Sequence, residues 1–254
     1  VLPIYDALYR NPLRHILTRH EQGAIHAAEG YARVSNKPGV VIATSGPGAT
    51  NTITGLAGAW LDATPVIFIS GQAIRADLVG NQKIRQFGIQ EVNVVELVKS
   101  VTKYAVQIKE PQDILYELDK AVAISKEGKP GPVWLDIPLD IQASQVEPEK
   151  LARFTEKMPE YRCNDIDVEK TIELLNNSKR PLVLLGNGIR LANAIPEMEE
   201  FIKILNIPVM TTWNGVDLIE DDNPLFFGRP GAVGHRYSNF IQQNADFVLT
   251  LGTR

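Results

Sequence analysis

The sequence predicts an α/β fold of two doubly wound parallel-sheet domains, the second incomplete. Three observations predict it. Apolar runs of strand length recur without polar alternation, as in strands covered on both faces. Segments of helical period lie between them. One charged stretch with three prolines, residues 138–165, interrupts the pattern and reads as a linker.

Each element follows from its residues. Strands are expected at residues 40–44 (VVIAT), 65–70 (PVIFIS), 132–137 (PVWLDI), 181–185 (PLVLL), 207–211 (IPVMT) and 247–251 (FVLTL). Helices are expected near residues 21–34, 50–61, 111–126, 168–176, 194–205 and 233–243. The boundaries become a first domain at 1–141, a linker at 142–165 and a second domain at 166–254. With right-handed crossovers, every loop after a strand lies along one edge of its sheet, and ligands bind at that edge. The chain opens without Met and stops straight after a strand-like run, so truncation at both ends is expected.

Composition narrows the function. The chain has 254 residues, 44% of them hydrophobic, and a net charge of −4. No basic stripe suggests nucleic acid, and no apolar run reaches the length of a membrane span. No signal peptide is visible. The single cysteine, Cys163, excludes an intrachain disulfide and a cysteine-cluster metal site. A reducing, cytoplasmic setting is the default expectation.

Three places carry candidate chemistry. Residues 19–33 read RHEQGAIHAAEGYAR, with Glu21 at the start of a helix of small side chains. A carboxylate there is favoured by unpaired N–H groups and the helix dipole. It also stands at the ligand edge, where burial would raise its pKa and suit it to proton exchange. Ala24, Ala27, Ala28 and Gly30 permit close packing on a neighbouring helix or a second subunit; His20 and His26 receive no role.

The second place is residues 40–60, VVIATSGPGATNTITGLAGAW, a strand, a Gly-Pro-Gly turn and a helix. Ala49, Thr50 and Asn51 lie near the helix start, where Thr and Asn cap. The turn matches neither G-x-G-x-x-G nor G-x-x-x-x-G-K-[ST]. It is read either as a tight turn or as a backbone made to approach a ligand. Gly55 and Gly58 suggest close helix contact. The third place is residues 85–106, where Gln90 and Glu91 read as the polar start of an amphipathic helix carrying Val92, Val95 and Val98.

Taken together, RHEQGAIHAAEGYAR, TSGPGATNTITGLAGAWLDATPVIFISGQ, IQEVNVVELVKSVTKYA and GKPGPVWLDIPLDIQ closely resemble the thiamine-diphosphate-dependent acetolactate synthase family. The resemblance covers residues 1–141 as the pyrimidine-binding domain. It continues through 181–254 as the first part of the central domain, in PLVLLGNGIRLANA and GRPGAVGHRYSNFIQQNADFVLTLGTR. It implies that Glu21 hydrogen-bonds the cofactor's pyrimidine ring and favours its imino tautomer. That tautomer takes the proton from the thiazolium carbon, and the resulting ylid attacks a 2-keto acid, which loses CO2. By position, Thr44, Pro47, Gly48 and Asn51 match the family's loop around the pyrimidine, and Gln90 matches its glutamine facing cofactor and substrate. The resemblance further implies a homo-oligomer with each active site built across a dimer, and a place in branched-chain amino acid biosynthesis.

Departures from the family pattern carry information. The Gly-Asp-Gly motif that holds Mg2+ and diphosphate is absent from these residues, and so is the glycine-rich loop expected before Val1. Ile89 stands where a Phe usually precedes the Gln-Glu pair, which leaves the 2-keto acid open. Synthases of the family often carry a non-catalytic FAD; Gly186–Gly188 and Gly228–Gly234 are the segments to line it, although the usual flavin-loop residues match poorly. Glyoxylate carboligase, pyruvate oxidase and oxalyl-CoA decarboxylase types are alternatives within the class. Outside it stand a nucleotide- or flavin-binding module using Gly186-Asn187-Gly188, and a regulatory relative that only dimerises. Retention of Glu21 argues against the last.

Overall fold

A computed structural model describes residues 1–157, 159 and 164–253. The chain divides into two compact units, residues 1–159 and 160–254, so the division falls inside the 142–165 stretch. Part of that stretch, Cys163 included, lies outside the described residues.

The first unit runs α1 (Leu2–Arg10), α2 (Glu21–Ser35), β1 (Gly39–Ala43), α3 (Pro47–Asn51), α4 (Ile53–Leu61), β2 (Val66–Gln72), α5 (Val94–Val98), β3 (Tyr104–Gln107), α6 (Ile114–Lys126), β4 (Val133–Pro138) and α7 (Leu139–Gln142). Its sheet is wholly parallel in the order β1-β2-β4-β3. Every residue of β4 is buried, and β2 is nearly so, which is why both read as unbroken apolar runs.

Successive residues of these strands feed opposite faces. Val66, Phe68 and Trp134 join Ile25, Ala28, Leu56, Ala59, Val94 and Val98 in one core. Ile67, Val133, Leu135 and Ile137 join Ile108, Ala121 and Ile141 in the other. The Phe68 and Trp134 rings stack with centroids 4.9 Å apart. The unit also takes up residues beyond 141: Phe154 packs edge-on against Tyr116, and Arg153 pairs with Asp119 at 3.2 Å.

The second unit runs α8 (Asp165–Asn177), β5 (Pro181–Leu185), α9 (Gly188–Leu191), α10 (Ile195–Leu205), β6 (Val209–Thr211), α11 (Arg236–Asn244) and β7 (Phe247–Leu251). Its described sheet is parallel, in the order β6-β5-β7. Asn164 caps α8 by accepting from the Ile166 N–H at 3.1 Å.

Four expectations need correction. The helix expected at 50–61 is two helices: the Thr52 hydroxyl turns back to the Ala49 carbonyl at 2.8 Å, between α3 and α4. Thr50 and Asn51 do not cap; the N-cap of α3 is Gly46, without a side-chain bond. α5 starts at Val94 under an Asn93 cap and buries Val94 and Val98, so Gln90 and Glu91 lie outside it. α1 and β3 have no counterpart in the expected elements. β3 is a four-residue edge strand, half-buried throughout, too short and too mixed for periodicity to register.

The small residues of α2 serve this chain's own packing first. A Cβ on Gly55 of α4 would stand 2.3 Å from the Ile25 side chain, and one on Gly39 would stand 2.2 Å from the Ala28 carbonyl oxygen. Gly30 has nothing within 4 Å of its Cβ position. Gly39→Ala is therefore expected to destabilise the fold by about 1–3 kcal/mol, because backbone must move on both sides. Gly30→Ala is expected to stabilise it by about 0.5–1 kcal/mol through helix propensity. Urea midpoints shifting in the same direction for both variants would contradict this packing.

Candidate functional site

In-register pairing builds one rung across the first sheet: Ala43 beside Ser70, Ser70 beside Asp136, Asp136 beside Gln107. Asp136 is fully buried, and its burial pushes the carboxyl above its ordinary value. Three donors work against that rise. Gln107 Nε2 donates to Oδ2 at 2.9 Å, the Ser70 hydroxyl to Oδ1 at 2.6 Å, and Gln72 Nε2 to Oδ2 at 3.1 Å. Trp134 Nε1 completes the chain by donating to Ser70 Oγ at 2.8 Å.

One residue past the rung, Thr44 emerges exposed at the carboxyl end of β1. The Gly46-Pro47-Gly48 turn follows. Gly46 has φ +61° and ψ −122°, a conformation suited to glycine. A Cβ there would stand 2.5 Å from the Gln90 carbonyl oxygen, so the turn and the Gln90 backbone are in direct contact. Gly48 is buried; a Cβ on it would stand 2.7 Å from the Thr44 methyl and 3.4 Å from Glu21 Oε1. Its missing side chain leaves a cradle between those two groups.

Glu21 is the first residue of α2, behind an N-cap His20 whose Nδ1 accepts from the Gln22 N–H at 3.1 Å. Asn51 Nδ2 donates to Glu21 Oε2 at 3.0 Å and ties α3 to α2. Glu21's own backbone N–H and then Asn51 hold the carboxyl below its ordinary value. Sequence reasoning expected burial to raise it. The chain gives Glu21 a half-open setting with donors for partners, and ionisation is favoured instead.

The structure thus gathers all six candidates. Asn51 bonds Glu21, Gly48 lies between Thr44 and Glu21, Pro47 sits exposed inside the turn, and Gln90 joins through Gly46. Gln90 is itself left-handed, at φ +56°, with its side chain exposed. Sequence reasoning missed the group around Asp136, although a carboxylate inside the apolar run VWLDIP was a legible signal. It also missed Tyr5, whose hydroxyl burial and then the Glu21 charge push above its ordinary pKa, and which lies 3.5 Å from the Ile42 carbonyl.

Comparison with known proteins finds matches for both units of the chain. Residues 1–97 match the thiamine pyrophosphate enzyme N-terminal TPP binding domain, and residues 168–254 the thiamine pyrophosphate enzyme central domain. The chain belongs to the thiamine pyrophosphate enzyme family. It is 38% identical over 259 residues to a probable acetolactate synthase large subunit of Methanocaldococcus jannaschii, covering 100% of this chain and 43% of that one. It is 38% identical over 254 residues to the acetolactate synthase isozyme 2 large subunit of Escherichia coli K12, covering 100% and 45%. The acetolactate synthase large subunit of Lactococcus lactis is 36% identical over 259 residues, covering 100% and 44%. The chain spans less than half the length of these relatives.

In the central domain, the glycines of Gly186-Asn187-Gly188 serve packing. A Cβ on Gly186 would stand 2.3 Å from the Gly252 carbonyl oxygen, and one on Gly188 would stand 2.7 Å from Gly252 Cα. Their small size lets the end of β7 pass the loop after β5, which weakens the nucleotide-module reading.

Asp136→Asn tests the buried group. The amide puts an NH2 where only donors converge, and a loss of about 1–3 kcal/mol is expected in urea unfolding. The pH dependence has a definite sign. A carboxyl whose folded pKa lies above its unfolded value binds more protons when folded, so stability falls as pH rises between the two values. The variant should lose that slope, and an unchanged slope would refute the assignment to Asp136.

Proposed function

We propose that the whole protein is a thiamine-diphosphate-dependent carboligase of the acetolactate synthase kind, which decarboxylates a 2-keto acid and joins the acyl unit to a second carbonyl compound. The observation that carries the reading is the ionised Glu21 carboxylate beside the cradle at Gly48. The donor set fits a pyrimidine ring. Glu21 offers an acceptor oxygen toward the turn while Asn51 holds the other oxygen, and Gly48 leaves room that any side chain would fill. Thr44 and Pro47 stand exposed on either side.

Thiamine diphosphate, when bound, supplies the electron sink that decarboxylation needs. Glu21, whose pKa its hydrogen bonds hold below the ordinary value, would hold the ring by accepting a hydrogen bond from a protonated ring nitrogen, a contact that would favour the imino tautomer. Asn51 fixes the carboxylate's rotamer for that task. Gln90, exposed next to the turn, meets the substrate side. Mg2+ and the diphosphate are assigned to a further part of the whole protein, in keeping with relatives more than twice as long. A homo-oligomer is proposed because Ala27, Gly30, Tyr31 and Val34 leave one side of α2 exposed and free of bulky polar groups. A cytoplasmic location is proposed with it.

Glu21→Gln in the whole protein separates this role from a merely structural one. As a helix-start carboxylate, Glu21 contributes roughly 0.3–1 kcal/mol, so the melting temperature should barely move. As the pyrimidine partner, it should control hydrogen–deuterium exchange at the cofactor's thiazolium carbon, which is expected to slow by about 10²–10⁴. Exchange at the wild-type rate would make Glu21 a helix-start residue only.

A further inference from the structure

Between β2 and α5 the chain runs through residues 78–93 with no helix or strand. This stretch carries Phe87, Ile89 and Gln90, all exposed, to the Gly46 turn. An irregular segment of that length needs something to hold it. Glu91 supplies it. Its Oε1 accepts from the Val79 N–H at 2.6 Å, and its Oε2 from the Phe87 and Gly88 N–H groups at 3.0 and 3.1 Å. One carboxylate thereby closes the loop on itself. Partial burial works against the charge, yet the three backbone donors bring its pKa below the ordinary carboxylate value.

We infer that Glu91 is a positioning residue, which fixes the left-handed Gln90 conformation by anchoring the loop on one side while Gln72 anchors it on the other. Gln72 Nε2 donates to the Val92 carbonyl at 2.9 Å and to Asp136 at 3.1 Å. Gln90 is thus bracketed by neighbours on both sides, and the buried rung reaches the site through Gln72. Gly88 permits the closure: a Cβ on it would stand 2.5 Å from Ala73 Cβ and 2.9 Å from the Asp77 carbonyl. A left-handed non-glycine residue persists only where its surroundings over-determine it. The role of Gln90 toward substrate rests on the function proposed above; the clamp itself does not.

Two measurements on the whole protein keep those claims apart. Native-state hydrogen exchange in Glu91→Ala should show the Val79, Phe87 and Gly88 amides losing protection by at least about tenfold, with the β1 and β2 amides unchanged. Glu91→Gln, which keeps one acceptor oxygen, should release fewer of the three and guards against a variant that fails to fold. Unchanged protection at all three amides in either folded variant overturns the clamp. In steady-state kinetics with pyruvate as probe, Glu91→Ala should raise KM in the same direction as Gln90→Ala, and the double variant should add little to either. Additive effects would show that Glu91 does not act through Gln90 and would overturn the positioning role. A normal KM in Gln90→Ala, with the amides released in Glu91→Ala, would remove Gln90 from the substrate site and leave the clamp standing.

Discussion

A carboxylate buried at the centre of a sheet needs donors, and Asp136 takes them from the strands on both sides of β4. That requirement fixes the register of the first unit. A slip of one residue in β2 or β3 would turn Ser70 or Gln107 to the opposite face and strip Asp136 of a partner. Hydrophobic burial alone specifies the layers; the polar rung specifies which residues end up level with one another. Two positions of the candidate site are set one or two residues beyond it: Thr44 follows Ala43, and Gln72 follows Ser70 by two.

Two acidic residues of this region show how environment assigns a role. Asp136 has its pKa raised because burial outweighs its donors; Glu21 has its pKa lowered because its donors outweigh slight burial. The first is suited to holding neutral amides and a hydroxyl in place. The second presents negative charge to whatever enters the Gly48 cradle. Between them the Gly46-Pro47-Gly48 turn acts through absence of bulk: a Cβ on Gly46 would meet the Gln90 carbonyl oxygen, and one on Gly48 would close the cradle against the Thr44 methyl.

The parallel sheets were legible because their central strands are buried on both faces and so read as continuous Val, Ile and Leu. The convergence of Glu21, Thr44, Pro47, Gly48, Asn51 and Gln90 was legible too, through strand-turn-helix logic and the family resemblance. Most of what escaped has one cause. Periodicity reports which way apolar residues face, and it says nothing of a polar side chain whose partner is distant in sequence. Ser70 and Asp136 are 66 residues apart, and Gln72 reaches a backbone carbonyl 20 residues away. Glu91 looked like a helix-start residue because an amphipathic run follows it, yet its acceptors' partners lie upstream, at Val79, Phe87 and Gly88. β3 was lost for a different reason: an edge strand of four half-buried residues has no strong pattern to show.

α2 makes a further demand that the described chain meets only on one side. Ile25, Ala28 and Ala32 form its inner stripe, spaced for one helical face and packed on the sheet and α4. Ala27, Gly30, Tyr31 and Val34 form a second stripe, with Val34 92% exposed and Tyr31 54%. A helix with two apolar stripes needs neighbours on both faces, and the sheet and α4 cover only the inner one. In the oligomer proposed above, a second copy of the chain would be the outer neighbour. The proposed dimer would then do two things at once: remove that stripe from water, and enclose the half-open carboxylate that the chain by itself leaves accessible.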